Sequence, residues 1–187
     1  MNIVPTELPG VVVIEPRVFR DERGWFAESW NAARYEAAGI SARFVQDNVS
    51  FSRQGVLRGL HYQWPDPQGK LIHTLEGEIF DVAVDIRVGS PHFGRWTGVR
   101  LSAENARQIY IPEGFAHGFI VLSEFALVAY KCTAFYRADA DASLLWNDPA
   151  LGIEWPLGTP YLADRDRGAA RLHDIPLGRL PTYDGHS

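Results

Sequence analysis

The 187-residue chain contains little lysine, one cysteine and no long hydrophobic run. Of its 18 lysine and arginine residues only Lys70 and Lys131 are lysine, and the formal net charge is −5. A chain with net negative charge lacks the basic face with which general nucleic-acid binders displace counterions from phosphate, so we expect no polynucleotide partner. A small anionic ligand held by a few local arginines is compatible with this charge.

The other scarcities exclude further classes of protein. The single cysteine, Cys132, excludes an internal disulfide framework and a cysteine-based zinc site. Because the sequence has no apolar run of about 18 residues, we expect no membrane-spanning helix. Residues 1–5 show no basic stretch followed by an apolar run, so no signal peptide is visible. Together these features predict a cytoplasmic protein without a membrane partner.

Short alternating segments, separated by glycine, proline and aspartate, dominate the sequence. In the clearest one, residues 80–87, the apolar side chains of Phe80, Val82, Val84 and Ile86 share one face of a predicted strand. Further strands are predicted over residues 11–16, 44–50, 57–63, 71–76, 97–101, 108–111, 118–122 and 126–133. Many short strands at this spacing predict an all-β sandwich or barrel.

One helix is predicted, over residues 32–38, with Asn31 as its N-cap and Gly39 at its end. The segment from about residue 156 is rich in proline and is expected to wrap irregularly around the domain, with one short helix at most. No repeat or linker-like stretch interrupts the chain, so residues 1–187 are predicted to form one domain.

Segment 57–63 carries polar side chains inside a predicted strand. Strict alternation would direct His61 and Gln63 to one face and Arg58 to the other. Gly59 offers a position for a β-bulge that would re-aim one of them. From this segment alone, a core histidine satisfied by hydrogen bonds and a functional histidine are equally supported.

The other candidate residues also have ordinary structural explanations. His117 lies among glycines that shape a turn, where it would orient a neighbour, and Lys70 opens a strand as a surface lysine would. Alternation directs Tyr130 inward and Lys131 to the opposite face, and an inward tyrosine is more often core than catalyst. Cys132 is interpreted as a small buried hydrophobe.

The pattern argues against a metal site. Metal-binding cupin barrels present two histidines one residue apart on a strand, then a carboxylate and a distant third histidine. Here Gln63 stands at the position of the second histidine, and glutamine is a poor ligand for a transition metal. No carboxylate follows at the expected place, and Lys70 stands nearby, where a cation would repel a metal ion. A metal-free barrel is therefore predicted.

Seven segments occur in an order that identifies a family: DERGWFAE at 21–28, QDN at 46–48, GVLRGLHYQ at 55–63, GK at 69–70, DVAVDIR at 81–87, IPEGFAHGF at 111–119 and WNDP at 146–149. Together they strongly resemble the dTDP-4-dehydrorhamnose 3,5-epimerases over residues 3–168. The resemblance implies a cupin-like jelly roll, a homodimer, no cofactor and no metal. It also implies conversion of dTDP-4-dehydro-6-deoxy-D-glucose to dTDP-4-dehydro-L-rhamnose, a precursor of surface polysaccharide.

Epimerisation next to a ketone explains the residue types in these segments. The protons at C3 and C5 are acidified by enolate formation, so the reaction needs a base, a proton donor on the opposite face and a cation at the ketone oxygen. By resemblance His61 is the base with Asp166 as its partner. The resemblance likewise implies that Tyr130 is the proton donor and that Lys70 lies at the ketone oxygen.

The resemblance also implies a set of substrate contacts: Arg23, Glu28, Gln46, Asn48, Arg58, Lys70, His117, Tyr136, Asp141 and Arg165. Arg23 and Arg58 would suit the pyrophosphate, because arginine forks fit phosphate oxygens bidentately. Tyr136 corresponds to the aromatic residue that stacks on the nucleotide. Asp141 stands where the family usually has a longer glutamate, and Arg165 stands where lysine is common.

Three alternatives stay open from the sequence. A relative acting at C3 alone or at C5 alone would carry the same residues, because the outcome depends on how the sugar ring sits in the pocket. A metal-dependent cupin is disfavoured by Gln63. A sugar-nucleotide-binding module without activity is disfavoured too, because binding alone does not require a base and a donor on opposed faces.

Overall fold

The structure, a computed structural model, describes residues 1–185 and consists mainly of short strands. This part of the chain forms β1 (Asn2–Pro5), β2 (Val12–Glu15), β3 (Val18–Asp21), β4 (Gly24–Ala27), β5 (Gln46–Arg53), β6 (Leu57–Gln63), β7 (Lys70–Glu76), β8 (Glu78–Asp85), β9 (Trp96–Ser102), β10 (Gln108–Ile111), β11 (Phe115–Val121), β12 (Phe125–Cys132) and β13 (Asp141–Ser143). The helices are α1 (Ala32–Ala37), α2 (Asp164–Arg167) and two 3-10 turns, Leu172–Asp174 and Leu177–Arg179. This content confirms the predicted all-β class. Within residues 1–185 no helix is both long and apolar enough to cross a membrane.

Two antiparallel sheets form the body of the molecule. One has the strand order β1-β2-β10-β7-β12-β5, and the other has the order β13-β6-β11-β8-β9. Strands β3 and β4 pair only with each other, as a hairpin outside both sheets. Neighbours in each sheet are mostly distant in sequence, as expected for a jelly roll rather than for a meander.

The two faces of β8 pack against different layers. Ile79 and Ala83 join the core between the sheets, together with residues of β7 and β12. Val82 and Val84, on the alternating apolar face predicted from the sequence, point away from the other sheet. The C-terminal segment covers them with Leu172 and other apolar side chains, so both faces of β8 are buried. Asp81 and Asp85, on the same strand, are also fully buried.

The predicted element boundaries need several corrections. The strand expected at 44–50 runs instead over Gln46–Arg53, and the one expected at 118–122 begins at Phe115, which puts His117 inside a strand. Strands β1, β3, β4 and β13 were not predicted, because they are short and lack clear alternation. The helix prediction is confirmed: the side chain of Asn31 accepts a hydrogen bond from the backbone N–H of Arg34.

An irregular pairing between β6 and β11 decides between the two arrangements that the sequence left open for Arg58 and His61. His117 pairs with His61 and Phe119 pairs with Arg58, so β6 holds one extra residue in this interval. Gly59 lies there with φ +131°, a conformation that other residues rarely adopt, and a Cβ on it would lie 2.5 Å from Cα of Gly118. The bulge at Gly59, rather than strict alternation, places Arg58 and His61 on the same cavity.

Candidate active site

A cavity of about 690 Å³ opens between the two sheets. Strands β5, β7 and β12 supply one wall, and β6 and β13 supply the other, while the segment around α2 closes one side. Ten of the predicted site residues line it: His61, Lys70, Tyr130, Asp166, Gln46, Asn48, Arg58, Tyr136, Asp141 and Arg165. Residues that are far apart in the sequence are therefore brought together as the resemblance implied.

His61 and Asp166 form a close pair across 105 positions of sequence. His61 Nε2 lies 2.7 Å from Asp166 Oδ1, while the backbone N–H of Gly59 donates to Oδ2 of the same carboxylate at 3.3 Å. Burial alone would raise the pKa of Asp166, but the hydrogen bonds from His61 and Gly59 outweigh it and hold that pKa below its usual range. An ionised Asp166 accepts the proton of Nε2, which leaves Nδ1 of His61 as the free acceptor.

Lys70, the first residue of β7, presents an uncompensated ammonium group to the cavity. Within residues 1–185 this ammonium group makes no hydrogen bond or ion pair, whereas that of the other lysine, Lys131, pairs with Asp47 at 2.9 Å. Burial lowers the pKa of Lys70, and the charges of Asp81 and Asp141 partly oppose that shift. An unpaired, poorly solvated cation of this kind is available to an anionic oxygen of a ligand.

Tyr130 faces His61 from the other sheet. It lies on β12, its ring packs against the interior core, and it lines the same cavity. Burial raises the pKa of its phenol, an effect that the charge of Arg58 partly offsets. The hydroxyl group therefore keeps its proton at neutral pH and can donate it. A proton acceptor and a proton donor thus stand on opposite walls of one cavity.

A smaller cavity of about 170 Å³ shares Arg58, His61, Lys70 and Tyr130 with the first and adds His117 to the lining. His117 Nε2 lies 2.8 Å from Asp81 Oδ2, and Asp81 is fully buried. Asp81 was not predicted as a partner of His117. Its only signal was a carboxylate among apolar neighbours, at an interior position of a strand whose other acidic residues, Glu78 and Asp85, lie at its ends.

The rim of the larger cavity is polar and aromatic. The phenol of Tyr136 donates to Asp141 at 3.2 Å, and Arg165 binds the same carboxylate at 2.5 Å. Arg165 also contacts the carboxylate of Asp166 at 3.4 Å and so links Asp141 to Asp166. Tyr161, which is 73% exposed, also lines the cavity and was not predicted, because nothing in its local sequence distinguishes it from a surface residue.

Two predicted contacts, Arg23 and Glu28, do not line either cavity. The side chain of Arg23 is 85% exposed at the tip of the β3–β4 hairpin and binds Asp21 at 2.6 Å. Glu28 accepts hydrogen bonds from Arg34 and Asn31 near α1. Within one chain these two residues stand apart from the other candidates.

Residues 1–185 contain no group of three or more histidine, cysteine, aspartate or glutamate side chains able to hold a metal ion. Gln63, at the position of a cupin metal ligand, instead has its amide hydrogen-bonded to backbone groups.

Comparison with known proteins identifies the family. The family model described as dTDP-4-dehydrorhamnose 3,5-epimerase matches residues 5–174. The chain belongs to this family. It is 56% identical over 176 residues to the dTDP-4-dehydrorhamnose 3,5-epimerase of Pseudomonas aeruginosa, covering 93% of this chain and 97% of the relative. The predicted membership in the 3,5-epimerase family is thereby confirmed.

Solved structures of related epimerases have the same fold. The dTDP-6-deoxy-D-glucose-3,5-epimerase of Legionella pneumophila, in complex with dTDP-4-keto-L-rhamnose, gives a TM-score of 0.96 at 54% identity, over 98% of this chain and 99% of that one. ChmJ, a 3′-monoepimerase from Streptomyces bikiniensis in complex with dTDP-quinovose, gives 0.89 at 36% identity, over 96% and 93% of the two chains. The cupin-like fold expected from the resemblance is confirmed.

Proposed function

We propose that this protein inverts C3 and C5 of dTDP-4-dehydro-6-deoxy-D-glucose to form dTDP-4-dehydro-L-rhamnose, in the biosynthesis of dTDP-L-rhamnose. The observation that carries the proposal is the arrangement of His61 with Asp166 on one wall of the cavity and Tyr130 on the other, with Lys70 unpaired in the same space. Inversion at carbon requires removal of a proton from one face and delivery from the other, and this arrangement supplies both groups.

In the proposed mechanism, Nδ1 of His61 takes the proton from the carbon next to the C4 ketone. The electron pair of the broken C–H bond moves into the enolate, whose oxygen is stabilised by the ammonium of Lys70. Asp166 stabilises the imidazolium that forms. The hydroxyl of Tyr130 then delivers its proton to the opposite face of the same carbon, and exchange with solvent restores both groups before the second inversion.

The rest of the cavity suits a sugar nucleotide. Arg58, whose Nε donates to Ser52 at 2.9 Å, is oriented toward the cavity and is proposed to bind the pyrophosphate. Tyr136 at the rim offers an aromatic face to the base. Gln46, Asn48, His117, Asp141 and Arg165 are proposed as further contacts. No metal ion or organic cofactor is part of this proposal.

We also propose that the active form is a homodimer of one-domain chains. The outer face of the six-stranded sheet carries Val49, Phe51 and Leu75, which are 64%, 58% and 45% exposed, and an apolar patch of this kind is typical of an interface. A second copy covering it would explain why Arg23 and Glu28 lie outside the cavity of their own chain: they are proposed to reach the partner's cavity. A cytoplasmic location is proposed because the one cysteine is a free buried thiol, as is usual in a reducing compartment.

An NMR time course of the 4-keto substrate in deuterated buffer tests the proposed reaction. Label is expected at both C3 and C5, and exchange at neither carbon would overturn the proposal. The His61→Ala variant is the control and should exchange neither carbon while it still binds dTDP. The similarity to a 3′-monoepimerase makes single-carbon inversion the second candidate, and label at C3 alone would favour it.

A further inference from the structure

Gln63, the last residue of β6, joins two loops through its side chain. It is 5% exposed, and its Nε2 donates hydrogen bonds to the carbonyl oxygens of Asp66, at 2.5 Å, and Phe135, at 3.1 Å. Its Oε1 accepts from the backbone N–H of Arg137 at 2.8 Å. One buried amide therefore ties the loop after β6 to the loop after β12.

In the loop after β12, Gln63 binds Phe135 and Arg137, and Tyr136 lies between them. The backbone N–H of Tyr136 is itself bound, at 2.8 Å, by Oε1 of Gln46, which lines the cavity. Three successive residues, 135 to 137, are thus fixed by glutamine side chains rather than by pairing with a strand. Tyr136 is 55% exposed, so the direction of its ring depends on this backbone and on the hydrogen bond from its hydroxyl to Asp141 more than on packing.

The other contacts of this loop are weaker substitutes. The guanidinium of Arg137 pairs with Asp66 and Asp139, but these three side chains are 43%, 56% and 71% exposed, respectively. Exposed ion pairs are screened by solvent and contribute little to stability. Buried hydrogen bonds to an uncharged amide are costly to lose, because the backbone groups are left without partners. Gln63 therefore holds the backbone on both sides of Tyr136, while Gln46 holds the N–H of Tyr136 and Asp141 accepts from its hydroxyl group.

We infer that Gln63 is a positioning residue for nucleotide binding, which holds the 135–137 loop so that the ring of Tyr136 is set to stack on the planar base of a nucleoside diphosphate. The inference rests on the proposed function, since it assumes a nucleotide at this rim. Fixing the loop before the ligand arrives lowers the entropy lost on binding. Gln63, at the position that supplies a metal ligand in metal-binding cupins, thus stabilises a loop in this protein.

A double-mutant cycle with dTDP as the probe tests this role. Gln63→Leu keeps a similar volume and removes all three hydrogen bonds, and it should raise the Kd for dTDP and the KM about 10-fold. The value of kcat should stay within about twofold, since Gln63 does not line the cavity of the reacting groups. In a Tyr136→Ala background the same change should have almost no further effect on Kd, because Gln63 acts through Tyr136.

Gln54→Leu is the matched control, since Gln54 Nε2 also donates to a backbone carbonyl, that of Leu122 at 2.8 Å, at a site outside the cavity. It should leave Kd unchanged. Gln63→Glu is the second variant if the leucine variant does not fold: it keeps the acceptor for Arg137 but turns a carboxylate oxygen toward two carbonyl oxygens, and it should also weaken dTDP binding.

Each outcome is decisive. An unchanged Kd in a folded Gln63 variant, a fall in kcat at constant KM, or additive effects of Gln63→Leu and Tyr136→Ala would overturn the inference. If wild-type protein bound no dTDP in calorimetry, the proposed function would fail before the Gln63 variants were compared.

Discussion

Replacing Lys70 with methionine should lower activity and raise stability together. Methionine has nearly the same length and volume but no charge, so the enolate oxygen loses its cation while the cavity keeps its shape. Removing one preorganised group of this kind typically lowers kcat about 10²- to 10³-fold, or about 3 to 4 kcal/mol of transition-state stabilisation. We expect a loss of that size for Lys70→Met, with a smaller change in KM.

Lys70→Met should raise stability because the ammonium group of Lys70 has no ion-pair partner in the described part of the chain. Within residues 1–185 its ammonium makes no ion pair, and burial lowers its pKa, so the protonated form is disfavoured in the folded state. Near neutral pH this group therefore destabilises the fold. The melting temperature of Lys70→Met should exceed that of the wild type at pH 7, and the difference should shrink as pH rises toward the pKa of an unfolded lysine, about 10.4.

Lys131→Met provides the matched control. Lys131 is the other lysine; it lies on the face of β12 opposite to Tyr130 and pairs with Asp47 at 2.9 Å. The variant should leave turnover unchanged and shift stability only slightly, since the pair is partly exposed. Turnover is measured by NMR on the 4-keto substrate, and stability by thermal denaturation from pH 7 to 10. Wild-type turnover in Lys70→Met would refute the enolate role, and a lower melting temperature would refute the assignment of an uncompensated charge.

Three further predictions concern other parts of the molecule. Tyr130→Phe removes the proton donor, so deuterium exchange initiated by His61 should persist while inversion measured by NMR falls about 10²-fold or more; equal loss of both would contradict the donor role. Asp166 has a lowered pKa in the folded state, so its ionised carboxylate stabilises the fold above the unfolded pKa of about 3.9. The difference in unfolding free energy between wild type and Asp166→Asn, measured in urea, should therefore narrow as pH falls below about 3.9 toward the lower pKa of the folded state. Phe51→Asp introduces a charge on the exposed apolar face and should shift sedimentation to that of a monomer, whereas an unchanged profile would show that the proposed dimer uses another surface.

Local patterns were sufficient to predict much of the sheet and one helix. The strand 57–63 and the strand 108–111 have the predicted bounds, and Asn31 caps the helix as expected, because each depends on side chains close in sequence. The hairpin of β3 and β4 was missed, since its exposed aromatics, such as Trp25 and Phe26, do not alternate with polar residues in the way that a half-buried strand does.

The geometry of the site required information that periodicity does not contain. Arg58 and His61 share a cavity only because of the extra residue in β6 at Gly59, an irregularity that alternation offers as a possibility and cannot decide. The pairing of His61 with Asp166 spans 105 positions and came from family resemblance, as no local rule relates the two. Asp81 was not predicted as the partner of His117, because its role depends on the burial of both faces of β8. That burial is a property of the packed layers.

The close approach of Gly59 and Gly118 limits how this enzyme can be re-engineered. A methyl group on Gly59 would lie 2.5 Å from Cα of Gly118, and one on Gly118 would lie 2.8 Å from the carbonyl oxygen of Arg58. Replacing either glycine with a larger residue, even alone, would push apart the strands that carry His61 and His117. Directed evolution toward a different nucleotide should therefore leave both glycines fixed and randomise Tyr136 and Tyr161, which line the rim of the cavity and are 55% and 73% exposed.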